Sequence, residues 1–376
     1  MIYLDNSATT NPKPVSVINA SSMAMKRFSF NSGRGGYSRS VETAGQIFSV
    51  REKAAGITGF QPQNIVFTQN CTMALNMAIK GAVKKGSHIL ISNLEHNAVS
   101  RPVEAMALRG YITYDIFSYN PDADVIIDNI KKLIRPNTSL IVCTQASNVF
   151  GCAFPIAEIG RLARERDICF VVDGAQGAGV LEIDCESSNV DVYCAAGHKG
   201  LYGPMATGFM AVRDGVSLET IVEGGTGSSS LKLEQPDFMP DRFESGTLSN
   251  SNIIGLGAGI DFVRSKGIDN IYNHELKLIK SVYGELEKIP QVTLYTPVAE
   301  KGKSAPIISF NYADYSSEKT AQLLAQRGIA VRAGLHCAPL AHRAFHTENR
   351  GTVRISPSVF TTPGECEIFI NTLKKL

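Results

Sequence analysis

The feature that most constrains this fold is a repeated alternation of short apolar runs with amphipathic helical segments. The run at 168–172 is continuously apolar, which is typical of a strand buried on both faces. A helical pattern opens at Pro155, with apolar residues on one face. This alternation predicts an α/β domain with a mostly parallel sheet. Its predicted strands lie at 65–68, 88–91, 139–143, 168–172, 190–194 and 208–212.

The pattern changes in the last third of the chain. The segment from about 224 to 252 is rich in Gly, Ser and Pro and is predicted to be a loop. Helical patterns follow at 252–266 and 281–288, and the pattern after them is shorter and mixed. We therefore predict a large domain at 13–255, and a smaller α+β domain formed by 1–12 together with 256–376.

Charge and cysteine content exclude several classes of protein. The chain has 37 Lys and Arg against 35 Asp and Glu, so we expect no binding of nucleic acid or of a membrane surface. No apolar run approaches the roughly 18 residues that a membrane span needs, and no signal peptide is visible. The 8 cysteines lack paired metal-ligand spacing, which indicates a cytoplasmic protein with no metal site.

Polar side chains follow the predicted strands at the point where each strand ends. In open α/β sheets, ligands bind beyond the carboxyl ends of the strands, so these residues predict a small-molecule site. The segments concerned are Asn70-Cys71-Thr72, Glu95-His96-Asn97, Gln145-Ala146-Ser147-Asn148, Asp173-Gly174-Ala175-Gln176 and Gly197-His198-Lys199.

The residue types in this group indicate one kind of chemistry. Desolvation can deprotonate a lysine such as Lys199, so that it captures an aldehyde. An acid at the end of a buried strand, such as Asp173, needs a cation to face it. A helix that begins at Cys71 and Thr72 offers backbone N–H groups to a phosphate, and a histidine can stack on a flat ring. Together these are the components of a pyridoxal 5′-phosphate (PLP) site.

Three motifs carry a resemblance to a known family. Asp173-Gly174-Ala175-Gln176, Gly197-His198-Lys199 and the segment from Arg332 to Ala338 resemble the class V aminotransferase superfamily of fold-type I PLP enzymes, and within it the cysteine desulfurases. The resemblance begins with the motif Tyr3-Leu4-Asp5-Asn6-Ser7-Ala8-Thr9-Thr10 and covers nearly the whole chain. The Arg-x-Gly-x-His-Cys context is similar to the type II (Suf-type) subgroup, which overlaps with selenocysteine lyases. The resemblance implies a large domain with a seven-stranded, mostly parallel sheet.

The resemblance also implies roles around the cofactor ring. Lys199 would bind the cofactor aldehyde and then move the substrate α-proton, and Asp173 would pair with the ring nitrogen. His96 would stack on the ring and shuttle protons. Gln176 and Asn148 would lie near the phenolic oxygen, with Asn148 also near the substrate carboxylate. From the residues alone, Asp173 and Gln176 equally resemble a helix capping box, and the amides and His96 fit ordinary structural roles.

Phosphate binding is implied for a second group. Thr72 would bind with its hydroxyl, Cys71 with its backbone N–H, and His198 would lie beside the phosphate. Ala196 stands where the family usually has a serine, so one phosphate hydroxyl is missing. Thr247 resembles a threonine that the family contributes across a dimer interface, which implies a homodimer with its active site at that interface.

The remaining implied roles concern sulfur and substrate. Cys337 would accept sulfur as a persulfide, with Arg332 and His336 as nearby cations that favour its thiolate. For a lone cysteine, the usual interpretation is instead a buried free thiol. Arg354 would bind the substrate carboxylate through a bidentate pair, and Arg332 would either contribute to substrate binding or tune the loop and the thiol.

The sequence therefore predicts a cysteine desulfurase that converts L-cysteine to L-alanine and passes sulfur to an acceptor protein for iron–sulfur clusters or another sulfur pathway. Selenocysteine lyase activity, another class V aminotransferase or epimerase reaction, and a non-enzymatic binding protein of the same fold remain as alternatives. The sequence alone does not identify the acceptor or the preference between cysteine and selenocysteine.

Overall fold

The computed structural model describes residues 1–32 and 35–376 of the chain. The helices in this part are α1 (Val15–Arg27), α2 (Ser38–Thr58), α3 (Cys71–Gly81), α4 (Asn97–Leu108), α5 (Ala123–Leu133), α6 (Ile156–Glu165), α7 (Asn250–Lys266), α8 (Ile268–Leu286), α9 (Ser317–Gln326), α10 (Pro339–Ala344) and α11 (Pro363–Leu373). The strands are β1 (Ile2–Tyr3), β2 (Ile65–Thr68), β3 (His88–Ser92), β4 (Thr113–Phe117), β5 (Thr138–Thr144), β6 (Cys169–Asp173), β7 (Val192–Ala196), β8 (Gly208–Val212), β9 (Val292–Leu294), β10 (Ile308–Tyr312), β11 (Ile329–Ala330), β12 (Arg332–Gly334) and β13 (Thr352–Ile355).

The large domain is built on a seven-stranded sheet in the order β2-β8-β7-β6-β5-β3-β4. Strand β8 runs antiparallel to both of its neighbours, and the other neighbouring pairs are parallel. The predicted α/β class with a mostly parallel sheet is confirmed. Each predicted strand corresponds to an observed strand: β2 and β8 match residue for residue, and the ends of the others differ by at most two residues.

Strand β4, at one edge of the sheet, was missed because most of its residues are not buried. Thr113 and Ile116 on it are exposed, and only Phe117 is buried, so it lacks the continuous apolar run of a central strand. Strands β3, β7 and β8 are buried along their whole length. One apolar core on each face of the sheet accounts for this burial, with α3 and α4 covering one face.

The small domain has its own sheet and core. Strands β12, β13, β10 and β9 form an antiparallel sheet in that order, and β1 pairs in parallel with β11. Side chains of α8 and α11 pack on this sheet, with Phe310 and Phe369 fully buried between them. Pairing of β1 with β11 brings the N-terminal segment beside the C-terminal part of the chain.

Helix α7 spans the predicted domain boundary at 255/256. It packs against α1 and α2, which belong to the large domain: a Cβ added to Gly257 would lie 2.7 Å from a methyl carbon of Val50. The helix ends at Gly267, which has a φ of 82°. We propose that the boundary lies near Gly267, since α7 contributes its buried face to the large domain. The segment predicted as a helix at 281–288 falls mostly within the longer helix α8.

Candidate active site

A cavity of about 220 Å³ opens at the carboxyl ends of the central strands, where the large and small domains meet. Residues of both domains line it, because β12 and β13 of the small domain face the loops that follow β5, β6 and β7. The predicted site residues found in its wall are Cys71, Thr72, His96, Asn148, Asp173, Gln176, His198, Lys199, Arg332 and Arg354. Ala196, at the position of the family's usual serine, also lines it.

Lys199 and Asp173 both line the cavity, and each influences the charge of the other. Burial lowers the pKa of the Lys199 ammonium, and Asp173 opposes this shift while Arg354 adds to it. Asp173 is 2% exposed, and burial raises the pKa of its carboxyl, while the backbone N–H of Ala175 and the nearby Lys199 lower it. Burial therefore favours the neutral amine that can capture an aldehyde.

Asp173 is held by a turn and not by a helix. Its Oδ1 accepts a hydrogen bond from the backbone N–H of Ala175 at 2.9 Å and one from the thiol of Cys71 at 3.5 Å. Turns follow β6 in place of a helix, so the capping-box alternative for Asp173 and Gln176 is wrong. Among the described residues, no hydrogen bond reaches Oδ2 of Asp173. One carboxylate oxygen is thus available to a cation in the cavity.

Hydrogen bonds from the N-terminal segment hold the turn that carries Lys199. The carbonyl of His198 accepts hydrogen bonds from the Lys13 ammonium at 2.7 Å and from the backbone N–H of Thr10 at 3.1 Å. Burial lowers the pKa of Lys13 to about 8. The sequence analysis missed both residues, although Thr10 belongs to the N-terminal motif that carries the family resemblance.

Both predicted cavity histidines are neutral. His96 is the N-cap of α4, and its Nδ1 accepts a hydrogen bond from the backbone N–H of Ala98 at 3.0 Å. Burial, together with the positive charges of Lys199 and Arg332, lowers the pKa of His96 to about 4. The ring therefore carries its proton on Nε2. Burial and Lys199 likewise lower the pKa of His198 to about 4, and its buried Nδ1 has no partner within the described part of the chain.

The N-terminus of α3 forms one end of the cavity. Asn70 caps the helix by accepting a hydrogen bond from the backbone N–H of Met73 at 2.9 Å. Thr72 is exposed there, beside Cys71. A Cβ on Gly208 would lie 2.7 Å from the carbonyl carbon of Asn70 and 2.9 Å from the nitrogen of Cys71, so only glycine allows this close approach of β8. The position suits an anionic phosphate because the first N–H groups of a helix lack helical partners.

The amide side chains of Asn148 and Gln176 line the cavity, and each donates a hydrogen bond through its nitrogen. The Asn148 Nδ2 donates to the carbonyl of His336 at 2.8 Å, whereas its buried Oδ1 has no partner among the residues described. The Gln176 Nε2 donates to the carbonyl of Ser7 at 3.1 Å. The unpaired Asn148 oxygen is an acceptor that a donor in the cavity would satisfy.

Arg354 is the most buried cation of the site. It lies on β13 and is 1% exposed. Its Nη1 donates to the carbonyl of Asn148 at 2.7 Å, and its Nη2 pairs with Oδ1 of Asp5 at 2.7 Å. Arg332 lies opposite Arg354 in the register of β12 and β13. Two adjacent guanidinium groups favour an anionic ligand such as a carboxylate.

Cys337 lies outside the cavity wall, on an exposed loop between β12 and α10. His336 and Cys337 have φ values of 47° and 56°, which side-chain-bearing residues rarely adopt. Two residues hold the loop. Asn148, in the cavity wall, donates to the carbonyl of His336, and Asn97, next to the cavity residue His96, donates its backbone N–H to the carbonyl of Cys337 at 2.7 Å. The alternative of a buried free cysteine is therefore wrong.

The predicted cationic role of His336 is also wrong. Its ring is 3% exposed, and its Nε2 bonds the carbonyl of Thr352 at 3.0 Å. Burial and the charge of Arg354 lower the pKa of His336 to about 2, so the ring is neutral. A neutral imidazole cannot stabilise a thiolate by its charge.

Thr247 lies away from this cavity. It is exposed and lines a second hollow beside the ion pair of Arg51 and Glu244, whose Nη2 and Oε2 are 2.5 Å apart. Within one chain the structure does not bring Thr247 to the other predicted phosphate ligands. A role for this residue at the cavity requires a second copy of the chain.

The cavity fits PLP on four structural grounds. Asp173 has one carboxylate oxygen that is free to bind a ring nitrogen. The N-terminus of α3, which includes Thr72, lines the same cavity. Lys199 is an amine whose pKa is lowered by burial. The buried polar atoms His198 Nδ1 and Asn148 Oδ1 lack partners in the described ranges, as expected where a polar ligand completes the hydrogen bonding.

The described residues offer neither a metal-binding cluster nor a membrane-spanning helix. Across residues 1–32 and 35–376, no group of three or more His, Cys, Asp or Glu side chains could hold a metal ion. None of the helices in these ranges has the length and apolar character needed to cross a membrane.

Comparisons with known proteins show the family to which the chain belongs. The family model of class-V aminotransferases matches residues 2–369. A probable cysteine desulfurase of Methanothermobacter thermautotrophicus is 32% identical over 100% of this chain and 94% of its own length. A cysteine desulfurase of Enterobacter sp. is 31% identical over 100% of this chain and 93% of its own length.

A solved structure shows the same fold along the whole chain. The apo structure of a cysteine desulfurase from Thermococcus onnurineus NA1 matches with a TM-score of 0.93 and 28% identity, covering 100% of this chain and 94% of its own. The chain belongs to the class-V aminotransferase family. The relatives described above are named cysteine desulfurases, so the predicted family and the fold-type I architecture are confirmed.

Proposed function

We propose that this protein is a PLP-dependent cysteine desulfurase that converts L-cysteine to L-alanine and receives the sulfur on Cys337 as a persulfide. The observation that carries the proposal is the attachment of the Cys337 loop to the cavity. Asn148 in the cavity wall donates to the backbone carbonyl of His336, and Asn97, next to the cavity residue His96, donates to that of Cys337. The exposed thiol is thereby kept at the rim of a cavity that is equipped for PLP.

The proposed binding of PLP uses groups that already face the cavity. Asp173 Oδ2 would pair with the protonated ring nitrogen, and the N-terminus of α3 with Thr72 would hold the phosphate. His96 would lie against the ring with its Nε2–H as a donor. The bound cofactor supplies an electron sink that weakens the bonds at the substrate Cα and Cβ.

The chain's own residues would perform the remaining steps. Arg354 and Arg332 would hold the substrate carboxylate, and the neutral amine of Lys199 would take the proton from Cα. The Cys337 thiolate would then attack the substrate sulfur, so that an S–S bond forms and the Cβ–S bond breaks. Protons returned to Cβ and Cα complete alanine. One cysteine and one enzyme thiol thus give one alanine and one enzyme persulfide, with atoms and electrons balanced.

The active unit would be a homodimer. Thr247 is exposed, away from the cavity of its own chain, whereas Asn70 and Thr72 at the phosphate end are also exposed. A second chain that brings its Thr247 to this end would cover it and would supply a hydroxyl in place of the one missing at Ala196. The exposed persulfide would pass to an acceptor protein, for iron–sulfur clusters or another sulfur pathway.

The free state of the described cysteines fits a reducing cytoplasm, where we expect the protein to act. The relatives are named cysteine desulfurases, and this supports L-cysteine and not L-selenocysteine as the substrate of this chain. A selenocysteine lyase would not depend on Cys337 in the same way, because selenium leaves more readily than sulfur.

The test compares Cys337→Ala with wild type and with Cys366→Ala, which removes a buried thiol on α11 that does not line the cavity. Alanine and sulfide release from L-cysteine is measured with a thiol reductant on PLP-loaded protein. We expect both products from wild type and Cys366→Ala, and a loss of at least about 100-fold in Cys337→Ala with normal visible absorbance. Equal product release by Cys337→Ala would overturn the persulfide route, and activity on L-selenocysteine alone would support a lyase.

A further inference from the structure

The side chain of Cys71 has a contact that its predicted role does not explain. The sequence analysis gives this residue only a backbone N–H for phosphate. In the structure its Sγ lies 3.5 Å from Oδ1 of Asp173, within hydrogen-bonding distance for sulfur, and the two residues are 102 positions apart. Cys71 is 7% exposed, so this contact is shielded from bulk water.

The chemistry of the contact makes Cys71 the donor. Burial, reinforced by the negative charge of Asp173, raises the pKa of the Cys71 thiol well above its ordinary value. The thiol therefore keeps its proton and donates a hydrogen bond to the carboxylate. Oδ1 then accepts two hydrogen bonds, from Cys71 and from the backbone N–H of Ala175, while no described residue bonds Oδ2. The two donors fix which oxygen of Asp173 remains free to face the cavity.

We infer that Cys71 is a positioning residue that orients the Asp173 carboxylate toward the protonated nitrogen of a pyridine ring. This inference rests on the proposed PLP-dependent function and deepens it. Because Cys71 is also the first residue of α3, it links the ring-nitrogen end of the site to the phosphate end. Removal of the thiol should loosen the carboxylate and should weaken the binding of ligands that carry the ring nitrogen.

The test uses three variants of the full chain. Cys71→Ala removes the donor, and Cys71→Ser replaces it with a hydroxyl donor. Cys194→Ala is the matched control, because Cys194 is fully buried and lies opposite Asp173 in the register of β6 and β7 without a hydrogen bond to it in the described structure. Each protein is stripped of cofactor and titrated separately with PLP and with 1-deaza-pyridoxal 5′-phosphate, which lacks the ring nitrogen.

We expect Cys71→Ala to raise the dissociation constant of PLP about fivefold, the size expected for one hydrogen bond to a charged group from a weak donor. Its affinity for the deaza compound should remain within about twofold of wild type, Cys71→Ser should recover most of the PLP affinity, and Cys194→Ala should match wild type. Equal weakening toward both ligands, failure of Cys71→Ser to recover affinity, or unchanged PLP binding by Cys71→Ala would each overturn the inference.

The readout separates this inference from the proposed function. The titration measures binding and not turnover. It therefore decides the role of Cys71 even if the protein binds PLP as expected but does not desulfurate L-cysteine. Failure of the wild-type chain to bind PLP would overturn both the inference and the proposed function.

Discussion

The guanidinium of Arg354 is paired with the carboxylate of Asp5, which lies 349 residues away in the sequence, at an Nη2–Oδ1 distance of 2.7 Å. Arg354 is 1% exposed at the residue level, whereas the side chain of Asp5 is 21% exposed. The pair joins the N-terminal segment to strand β13 at the cavity wall. Asp5 therefore sets both the charge balance and the position of the proposed carboxylate-binding arginine.

Asp5→Asn should raise the KM for L-cysteine about tenfold with a smaller change in kcat, because Arg354 loses the partner that positions it before the substrate binds. The free energy of unfolding should fall by about 2 kcal/mol, since a buried guanidinium is left without its anion. Steady-state kinetics and urea unfolding measure the two effects.

The matched control for this ion pair is Asp261→Asn. Asp261 pairs with Lys53 at 2.5 Å, but its side chain is 52% exposed. An exposed pair contributes less than about 1 kcal/mol, so Asp261→Asn should leave both kinetics and stability nearly unchanged. The role assigned to Asp5 is wrong if its variant behaves like this control.

Gly208→Ala should weaken PLP binding about tenfold by pushing β8 against the N-terminus of α3. The added Cβ would lie 2.7 Å from backbone of Asn70, which cannot move as easily as a flexible side chain. We expect the dissociation constant for PLP to rise in a titration of cofactor-free protein, because misplaced N–H groups bind phosphate less well.

Gly284→Ala is the control for the glycine substitution. Gly284 lies inside α8 with nothing within 4 Å of the added Cβ, so this change should stabilise the protein by about 0.5–1 kcal/mol and leave PLP affinity unchanged. Equal PLP affinities for Gly208→Ala and wild type would contradict the phosphate assignment for α3.

Hybrid dimers test whether Thr247 acts in the partner's site. Lys199→Ala and Thr247→Ala proteins are each expected to have low activity. In a mixed dimer, one site combines the intact Lys199 of one chain with the intact Thr247 of the other, so activity should reappear after the two are mixed and re-equilibrated. No recovery in hybrids isolated by two affinity tags would show that Thr247 does not act across an interface.

The stability of the cofactor-free protein should fall as the pH drops below about 6.5. Burial lowers the pKa of His96, His198 and His342 to about 4, and that of His336 to about 2. In the unfolded chain these rings take up protons near pH 6.5, whereas in the folded chain they remain neutral. The unfolded state then binds more protons, which favours unfolding on acidification.

Two buried acids act in the opposite direction. Burial raises the pKa of Glu95 and of Glu275 to about 8, so the folded state keeps their protons between about pH 4.5 and 8. Their contribution to stability is fully present at low pH and is lost as the pH rises through 8. We therefore expect the free energy of unfolding to pass through a maximum near neutral pH.

Urea unfolding at a series of pH values between about 5 and 8 measures this profile, with His342→Asn as the diagnostic variant. His342 is fully buried and lies outside the cavity wall, so the variant should reduce the acid slope by up to about 1.4 kcal/mol per pH unit. His346→Asn, at an exposed position, should keep the wild-type slope. An acid slope unchanged in His342→Asn would contradict the assignment of its buried neutral ring.

Local sequence patterns predicted much of the fold because they reflect burial that is shared by adjacent residues. Strand β8 is predicted to the residue, since its run of apolar side chains is buried on both faces. Strand β4 was missed because an edge strand needs no continuous apolar run. Asp173 and Lys199 were found because they stand directly after such strands, where parallel topology brings polar residues together.

The tertiary structure alone decided how these residues act. The sequence determined the sheet, the family and the chemistry-bearing side chains at the strand ends. Packing decided that Asp5 pairs with Arg354, that Lys13 fastens the Lys199 turn, that His336 is neutral and that Cys71 donates to Asp173. Such contacts join residues far apart in the chain, and both their geometry and the pKa values of buried groups depend on the surrounding atoms, which no local pattern specifies.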